Sequence, residues 1–173
     1  MEFLKLAEKR FSVRKYLPVP VEDEKLGMIL EAGRLAPTAA NIQPVKVVAI
    51  RKKEALEKLG KAADIYGAPL ALIVLADRSK AWTRPFDKMQ TTDIDASIVT
   101  NHMMLESTSL GLGSVWICYF KPDVIKAEFA LPDELVPVNI LAVGYPSGDV
   151  TAPEKKRKSL DSFVSVSYTH LTL

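Results

Sequence analysis

The chain has 173 residues, 48% of them hydrophobic and 25% charged, proportions that suit one folded domain and exclude a largely disordered chain. Against 21 Asp and Glu stand 23 Lys and Arg, a formal charge of +2, and Lys155, Lys156, Arg157 and Lys158 more than account for it. The remainder carries a slight acidic excess, so a compact basic site is the better reading than a long basic track for nucleic acid.

Cys118 is the one cysteine and there are two histidines, which leaves no internal disulfide and no recognisable zinc set. A reducing compartment and a cytoplasmic protein are expected. The start, Met1-Glu2-Phe3-Leu4-Lys5, does not read as a secretory signal, and residues 68–76, the most apolar stretch, are too short to span a bilayer.

Residues 2–10 read as a short helix, with Phe3, Leu4, Leu6 and Ala7 on one side. Pro18 and Pro20 force an extended connection. A second helix opens on Glu22, Asp23 and Glu24, acids suited to the positive end of the dipole, and Ala36-Pro37 stops it. A loop of small and polar residues, 37–44, leads into a β-branched strand at 45–50. A surface helix is expected at 53–61 and a buried strand at 70–75.

Residues 78–92 form a long mixed excursion, which reads either as a lid carrying Trp82 and Phe86 or as a packed surface segment. The strongest helical pattern covers 93–110, where Ile94, Ile98, Val99, Met103 and Leu105 predict a mostly buried central helix ended by Gly111-Leu112-Gly113. A strand is predicted at 114–120, a helix opened by Pro122, and a last strand at 138–143 closed by Gly144-Tyr145-Pro146. This order of helices, then interleaved strands and helices, predicts an α+β or mixed-sheet domain. Residues 1–163 are assigned to the domain. Residues 164–173, uncharged and without helical period, read as a non-native or disordered tail, with an edge strand as the alternative.

Most self-sufficient catalytic arrangements fail. Gly111-Leu112-Gly113 begins a GxG, but Trp116 stands where a third glycine belongs and the order is helix to strand, the reverse of a dinucleotide fingerprint. His102, on an apolar helix, reads as a hydrogen-bonded core or interface residue, and Cys118, in an apolar strand, as an inert packed thiol. Missing catalytic side chains point to binding, or to a cofactor that supplies the chemistry.

Two stretches look like polar sites. In Arg10-Phe11-Ser12-Val13-Arg14 an extended backbone puts Arg10, Ser12 and Arg14 on one side, a receptor for a phosphate monoester or else a solvated basic helix exit. In Ala36-Pro37-Thr38-Ala39-Ala40-Asn41-Ile42-Gln43-Pro44 small residues permit close approach of a flat ligand and the amides offer hydrogen bonds, although a plain connecting loop can look the same. The 155–158 run is equally a solvated charged loop or, as a third and weakest reading of the chain, a nucleic-acid contact.

Taken together, these two segments, with His102-Met103-Met104-Leu105, Leu110-Gly111-Leu112-Gly113-Ser114-Val115-Trp116-Ile117, Gly144-Tyr145-Pro146 and the 155–158 run, resemble the nitroreductase family of flavin enzymes over roughly residues 1–163. The resemblance implies an α+β fold with a mixed, mostly antiparallel central sheet flanked by helices. It implies a homodimer with FMN at the subunit interface, no nucleic acid or membrane partner, and NADH or NADPH as reductant. Arg10, Phe11, Ser12 and Arg14 match the segment at the ribityl-phosphate end, with Lys155 and Arg157 joining at the phosphate. Pro37, Thr38, Ala39 and Asn41 match a loop reaching the flavin from the partner subunit. Trp116, Ile117, Cys118 and Tyr119 match the strand end beside the isoalloxazine, where larger members often carry an acid and a glycine in place of Cys118 and Tyr119. The implied activity passes hydride from NAD(P)H through flavin N5 to an electron-poor acceptor such as a nitroaromatic or quinone, with no catalytic side chain. A non-catalytic flavin-binding or flavin-storage protein is the alternative.

Overall fold

The computed structural model of the protein describes residues 2–165. Its centre is a four-stranded sheet of β1 (Val45–Ile50), β2 (Leu70–Asp77), β3 (Gly113–Ile117) and β4 (Leu135–Gly144), in the spatial order β1-β2-β4-β3. Every pairing of these strands is antiparallel; among the described residues the one parallel contact is a bridge between Ser12 and Ser114 at the outer edge of β3. β2 is buried along its whole length, as its uninterrupted apolar run requires of a strand covered on both faces.

Two helical layers cover the sheet. On one face α3 (Lys53–Gly60) and α5 (Pro122–Glu128) bring Leu59 and Ile125 against Ile73, Val115 and Ile140. On the other, α2 (Asp23–Arg34) and α4 (Thr92–Ser109) bring Ile29, Val99 and Met103 against Leu72, Leu141 and Val143. The short α1 (Phe3–Lys9) leans on α4, and a final helical turn, α6 (Leu160–Phe163), is exposed. Val164 and Ser165 beyond it are also exposed, and the rest of the 164–173 segment lies outside the described residues.

α4 ends as its glycines require. Gly111 takes φ +78°, and Leu112 N–H donates to Ser107 O while Gly111 N–H donates to Thr108 O, so the last turn closes on its own carbonyls. Gly113 then opens β3 where the N-terminal segment crosses it. A Cβ there would stand 2.5 Å from Val13 Cγ2, so only glycine lets Val13 seat and Ser12 reach Ser114.

Three local expectations are corrected. β4 begins three residues earlier than position 138, because Pro137 sits at an irregularity: Val74 pairs with Asn139 and Leu75 with Pro137, and the bulge accommodates a residue lacking an N–H. β3 stops at Ile117, not at position 120; Lys121 N–H is drawn to Ala62 O, and Cys118 and Tyr119 leave the strand. Cys118 is therefore exposed and not a packed thiol. α4 is buried on one face only, by Asp95, Ala96, Val99, Thr100 and Met103 among others, while Ile94 is 48% exposed.

Candidate functional site

The residues 10–14 leave α1 in extended conformation, with Val13 buried and Arg14 exposed on the opposite side. Val13 N–H donates to Ser114 O (3.0 Å), and the Tyr16 hydroxyl donates to Val13 O (2.7 Å), which pins the segment to the edge of β3. Burial drives the Tyr16 hydroxyl well above its ordinary pKa, so it remains a donor throughout the physiological range.

The two ends of the chain meet here. Lys155 Nζ donates to Ala7 O (2.7 Å) and to Arg10 O, carbonyls left open at the C-terminal end of α1. Arg10, Lys155 and Arg157 line one cleft of about 410 Å³ with Leu4, Asn101 and Leu105. Desolvation, and then the charges of Arg10 and Arg157, hold the Lys155 ammonium below its ordinary pKa; Glu8 opposes the shift. Among the described residues no salt bridge neutralises the three cations. Three cations gathered against a single carboxylate, Glu8, which also lines the cleft, suit an anionic ligand whose binding relieves their repulsion.

Asn101 joins this cleft to a second, open groove on the outer face of α4, lined also by Asp93, Ile94, Ser97, Ile98 and Trp116. The surface thus runs from a cationic end to an apolar, aromatic end. β3 is an edge strand, so beyond the Ser12 bridge its outer backbone edge is free of any other described strand. Ile117 points its side chain into the core on the α3/α5 face, while Tyr119 is 96% exposed just past the strand.

Not every expected residue joins this surface within one chain. Arg14 sits with its guanidinium 5.9 Å from the centre of the Tyr66 ring, outside the cleft lining. Phe11 lines a separate small cavity of about 90 Å³ with Lys9, Val13 and Thr108. The 37–44 loop lies elsewhere, and its Thr38 and Gln43 border a cavity between α2, β1 and α4.

That loop has an unusual backbone. Ala40, Asn41 and Gln43 take φ of 49°, 54° and 57°, a left-handed region that costs a non-glycine residue on the order of 1 kcal/mol. Internal bonds hold it: Asn41 N–H to Thr38 O (3.0 Å) and Gln43 N–H to Thr38 Oγ1 (3.0 Å). An external bond runs from Ala39 N–H to Asp95 Oδ1 (2.9 Å). Pro37 and Asn41 remain exposed, and Thr38 and Ala39 half-buried.

Asn101, which lines both clefts, and Asp95 and Tyr16, which tie down the 37–44 loop and the 10–14 segment, were not singled out from the sequence. A polar Asn101 in an otherwise apolar helix stripe was the available signal; the Asp95 contact spans 56 residues and has no local signature. His102 is half-buried and its Nδ1 lies 2.9 Å from Ile98 O, the hydrogen-bonded packing expected of it.

Comparison with known proteins agrees with this geometry. The family model described as "Nitroreductase family" matches residues 7–65 and 59–145. A crystal structure of a nitroreductase family protein from Clostridium difficile 630 superposes with a TM-score of 0.93 at 53% identity, covering 97% of this chain and 99% of that one. An FMN-dependent nitroreductase from Clostridium difficile R20291 gives a TM-score of 0.76 at 28% identity, covering 98% and 100%. An FMN reductase (NAD(P)H) from Bacillus subtilis is 30% identical over 165 residues, 84% of this chain and 66% of that protein. Together with the antiparallel sheet and the paired clefts on α4, these matches establish that the chain belongs to the nitroreductase family.

Proposed function

We propose that the protein is an FMN-dependent oxidoreductase that passes hydride from NADH or NADPH through the flavin to a small electron-poor acceptor such as a nitroaromatic or quinone. The observation that carries the reading is the convergence of Arg10, Lys155 and Arg157, from opposite ends of the chain, in one cleft that opens onto the Trp116 groove. These residues fit FMN: the cationic end suits a phosphate monoester carrying nearly two charges, and the apolar end suits a flat ring system.

Arg10, Lys155 and Arg157 would bind the phosphate, and Ser12 and Arg14, which follow Arg10 at alternate positions of the same extended segment, would join them only on ligand binding. Trp116, Ile94 and Ile98 would face the ring, with the outer edge of β3 at Trp116 and the exposed Cys118 and Tyr119 just past the strand offering backbone N–H groups. Bound there, the flavin supplies the hydride-carrying centre, which is why no general acid or base is needed among the side chains. Pro37, Thr38, Ala39 and Asn41 would complete the site from a second copy, since in one chain their loop borders a different cavity.

A homodimer follows from the same surface. Phe3 and Leu4 of α1 are 65% and 73% exposed, and Ile94, Leu160 and Phe163 are exposed as well. A second copy laid over α1 and α4 would cover this apolar area and exclude water from the groove. Among the described residues no helix is long and apolar enough to cross a membrane. An exposed free thiol at Cys118 is in keeping with a reducing, cytoplasmic setting.

The test is anaerobic. Protein loaded with FMN is mixed with NADH or NADPH, and the flavin absorbance is followed before and after an acceptor is added. Bleaching by either nicotinamide and recovery with a nitroaromatic or quinone is the expected result. FMN that binds but is reduced by neither would leave only a flavin-binding role, and protein that retains no FMN would end the reading.

A further inference from the structure

Asp95 is buried to 1% exposure in the first turn of α4, and among the described residues it has no cationic partner. Its charge is met by directed hydrogen bonds and by the helix N-terminus. Oδ1 accepts the Ala39 N–H at 2.9 Å and Oδ2 accepts the Thr91 hydroxyl at 3.0 Å. Each donor belongs to a different irregular segment. Ala39 opens the turn that carries the left-handed Ala40 and Asn41. Thr91 closes the 78–91 excursion, where its own N–H bonds Trp82 O at 3.0 Å and Thr83 bridges Gln90.

A turn with three left-handed non-glycine residues in four positions keeps its shape where contacts inside and outside it together over-determine it. The Asp95 carboxylate is the buried external anchor at its entrance. We propose that Asp95 is a positioning residue: it locks the 38–43 loop in the conformation offered to the cofactor and couples that loop to the 78–91 excursion. The cofactor part of this statement rests on the function proposed above; the anchoring does not.

The test combines amide hydrogen exchange without flavin and FMN titration on the same variants. Asp95→Ala removes both acceptors, and exchange at Ala39 and through 38–43 is expected to rise about tenfold or more, as for one lost hydrogen bond to a charged acceptor. The FMN Kd is expected to rise by a similar factor. Asp95→Asn keeps an acceptor for Ala39 N–H, while its NH2 group can donate to Thr91 Oγ1, so both quantities should return to within about threefold of the parent. Thr91→Val perturbs only the excursion side, and faster exchange at Ala39 in that variant is the signature of coupling. Ile125→Val, in the core on the far side of the sheet, serves as a stability control and should alter neither quantity.

Unchanged exchange at 38–43 in Asp95→Ala would overturn the anchoring. Equal loss of protection in α3 and α5 would assign Asp95 to overall stability instead, and so would Ile125→Val weakening FMN as much. Should Asp95→Ala not fold, normal behaviour of Asp95→Asn with a local exchange increase in Thr91→Val supports the proposal, and a global increase in either refutes it. If the parent binds no FMN, the proposed function fails while the exchange measurements still decide the anchoring.

Discussion

The two faces of the sheet are built to different standards. The face under α3 and α5 packs Leu59, Ala71, Ile73, Ile125 and Ile140, and the buried carboxylate that the β2 register places there, Asp77 at the strand end, is bonded by Ser79 and Lys80. The face under α4 carries Asp95, Thr100, Ser107, Ser114 and Asn139 at the same depth. All three buried side-chain atoms that lack a hydrogen-bond partner among the described residues, Ser114 Oγ, Trp116 Nε1 and Asn139 Nδ2, belong to residues whose register puts them on this second face. A buried polar group without a partner is unfavourable, so a face that accumulates them is shaped by something besides stability. One side of the sheet holds the fold together; the other carries the candidate site.

Substitutions on the two faces should therefore separate stability from cofactor binding. The largest effect is expected for Ile125→Ala, which opens a cavity in the α3/α5 face and should lower unfolding free energy by about 2–5 kcal/mol in urea titration, with FMN affinity of the folded protein unchanged. Loss of FMN affinity in that variant under native conditions would erase the distinction. Next comes Arg10→Ala on the α4 side, where one charge-assisted contact of about 1.5–3 kcal/mol is lost. FMN binding should weaken about 10- to 100-fold and become less sensitive to salt, with little change in the urea midpoint.

A smaller effect is expected where the α4 face pays for its polar groups. Thr100 Oγ1 lies 2.7 Å from Ala96 O and 2.9 Å from Asn139 Oδ1, and one hydroxyl proton cannot satisfy both. Thr100→Val should cost only ~1 kcal/mol in the same urea titration, because the pair is already incompletely bonded. A loss as large as that of Ile125→Ala would show that this face is as optimised as the other.

The smallest effect is one of pH at the exposed rim. The Lys15 ammonium, and then the Ser147 hydroxyl, hold the Asp149 carboxyl at about 2, below its ordinary 3.8. A depressed folded-state pKa contributes stability above the unfolded value and loses it as pH falls from about 4 toward 2. Asp149→Asn should remove a shallow part of the acid limb of the stability curve and leave the curve above pH 5 parallel to the parent's. A changed slope near neutrality would point to another group.

Much of this division could be read from residue order. The apolar run of β2 and the acid-opened α2 stand where periodicity and end signals put them, and the family landmarks located the cationic cleft. What escaped was set by contacts distant in sequence. Cys118 and Tyr119 look like strand residues, but the chain turns there because Lys121 is tied to Ala62. The strand expected at 138–143 begins at Leu135, because a bulge accommodates Pro137. Ala40 in a left-handed conformation runs against its own preference and is intelligible only through the bonds around it, including the Ala39–Asp95 anchor. The outer face of α4 reads as core in sequence because an exposed apolar surface, such as that at Ile94, has the same composition as one turned to the interior.

The proposed function requires the α4 face, through the cations drawn from both ends of the chain, to hold FMN. Gel filtration of the protein after incubation with FMN, beside the Arg10→Ala/Arg157→Ala double variant, tests it most directly. The parent should elute yellow and the variant colourless at the same volume. A parent that elutes colourless, or a variant that keeps its flavin equally well, would contradict the account.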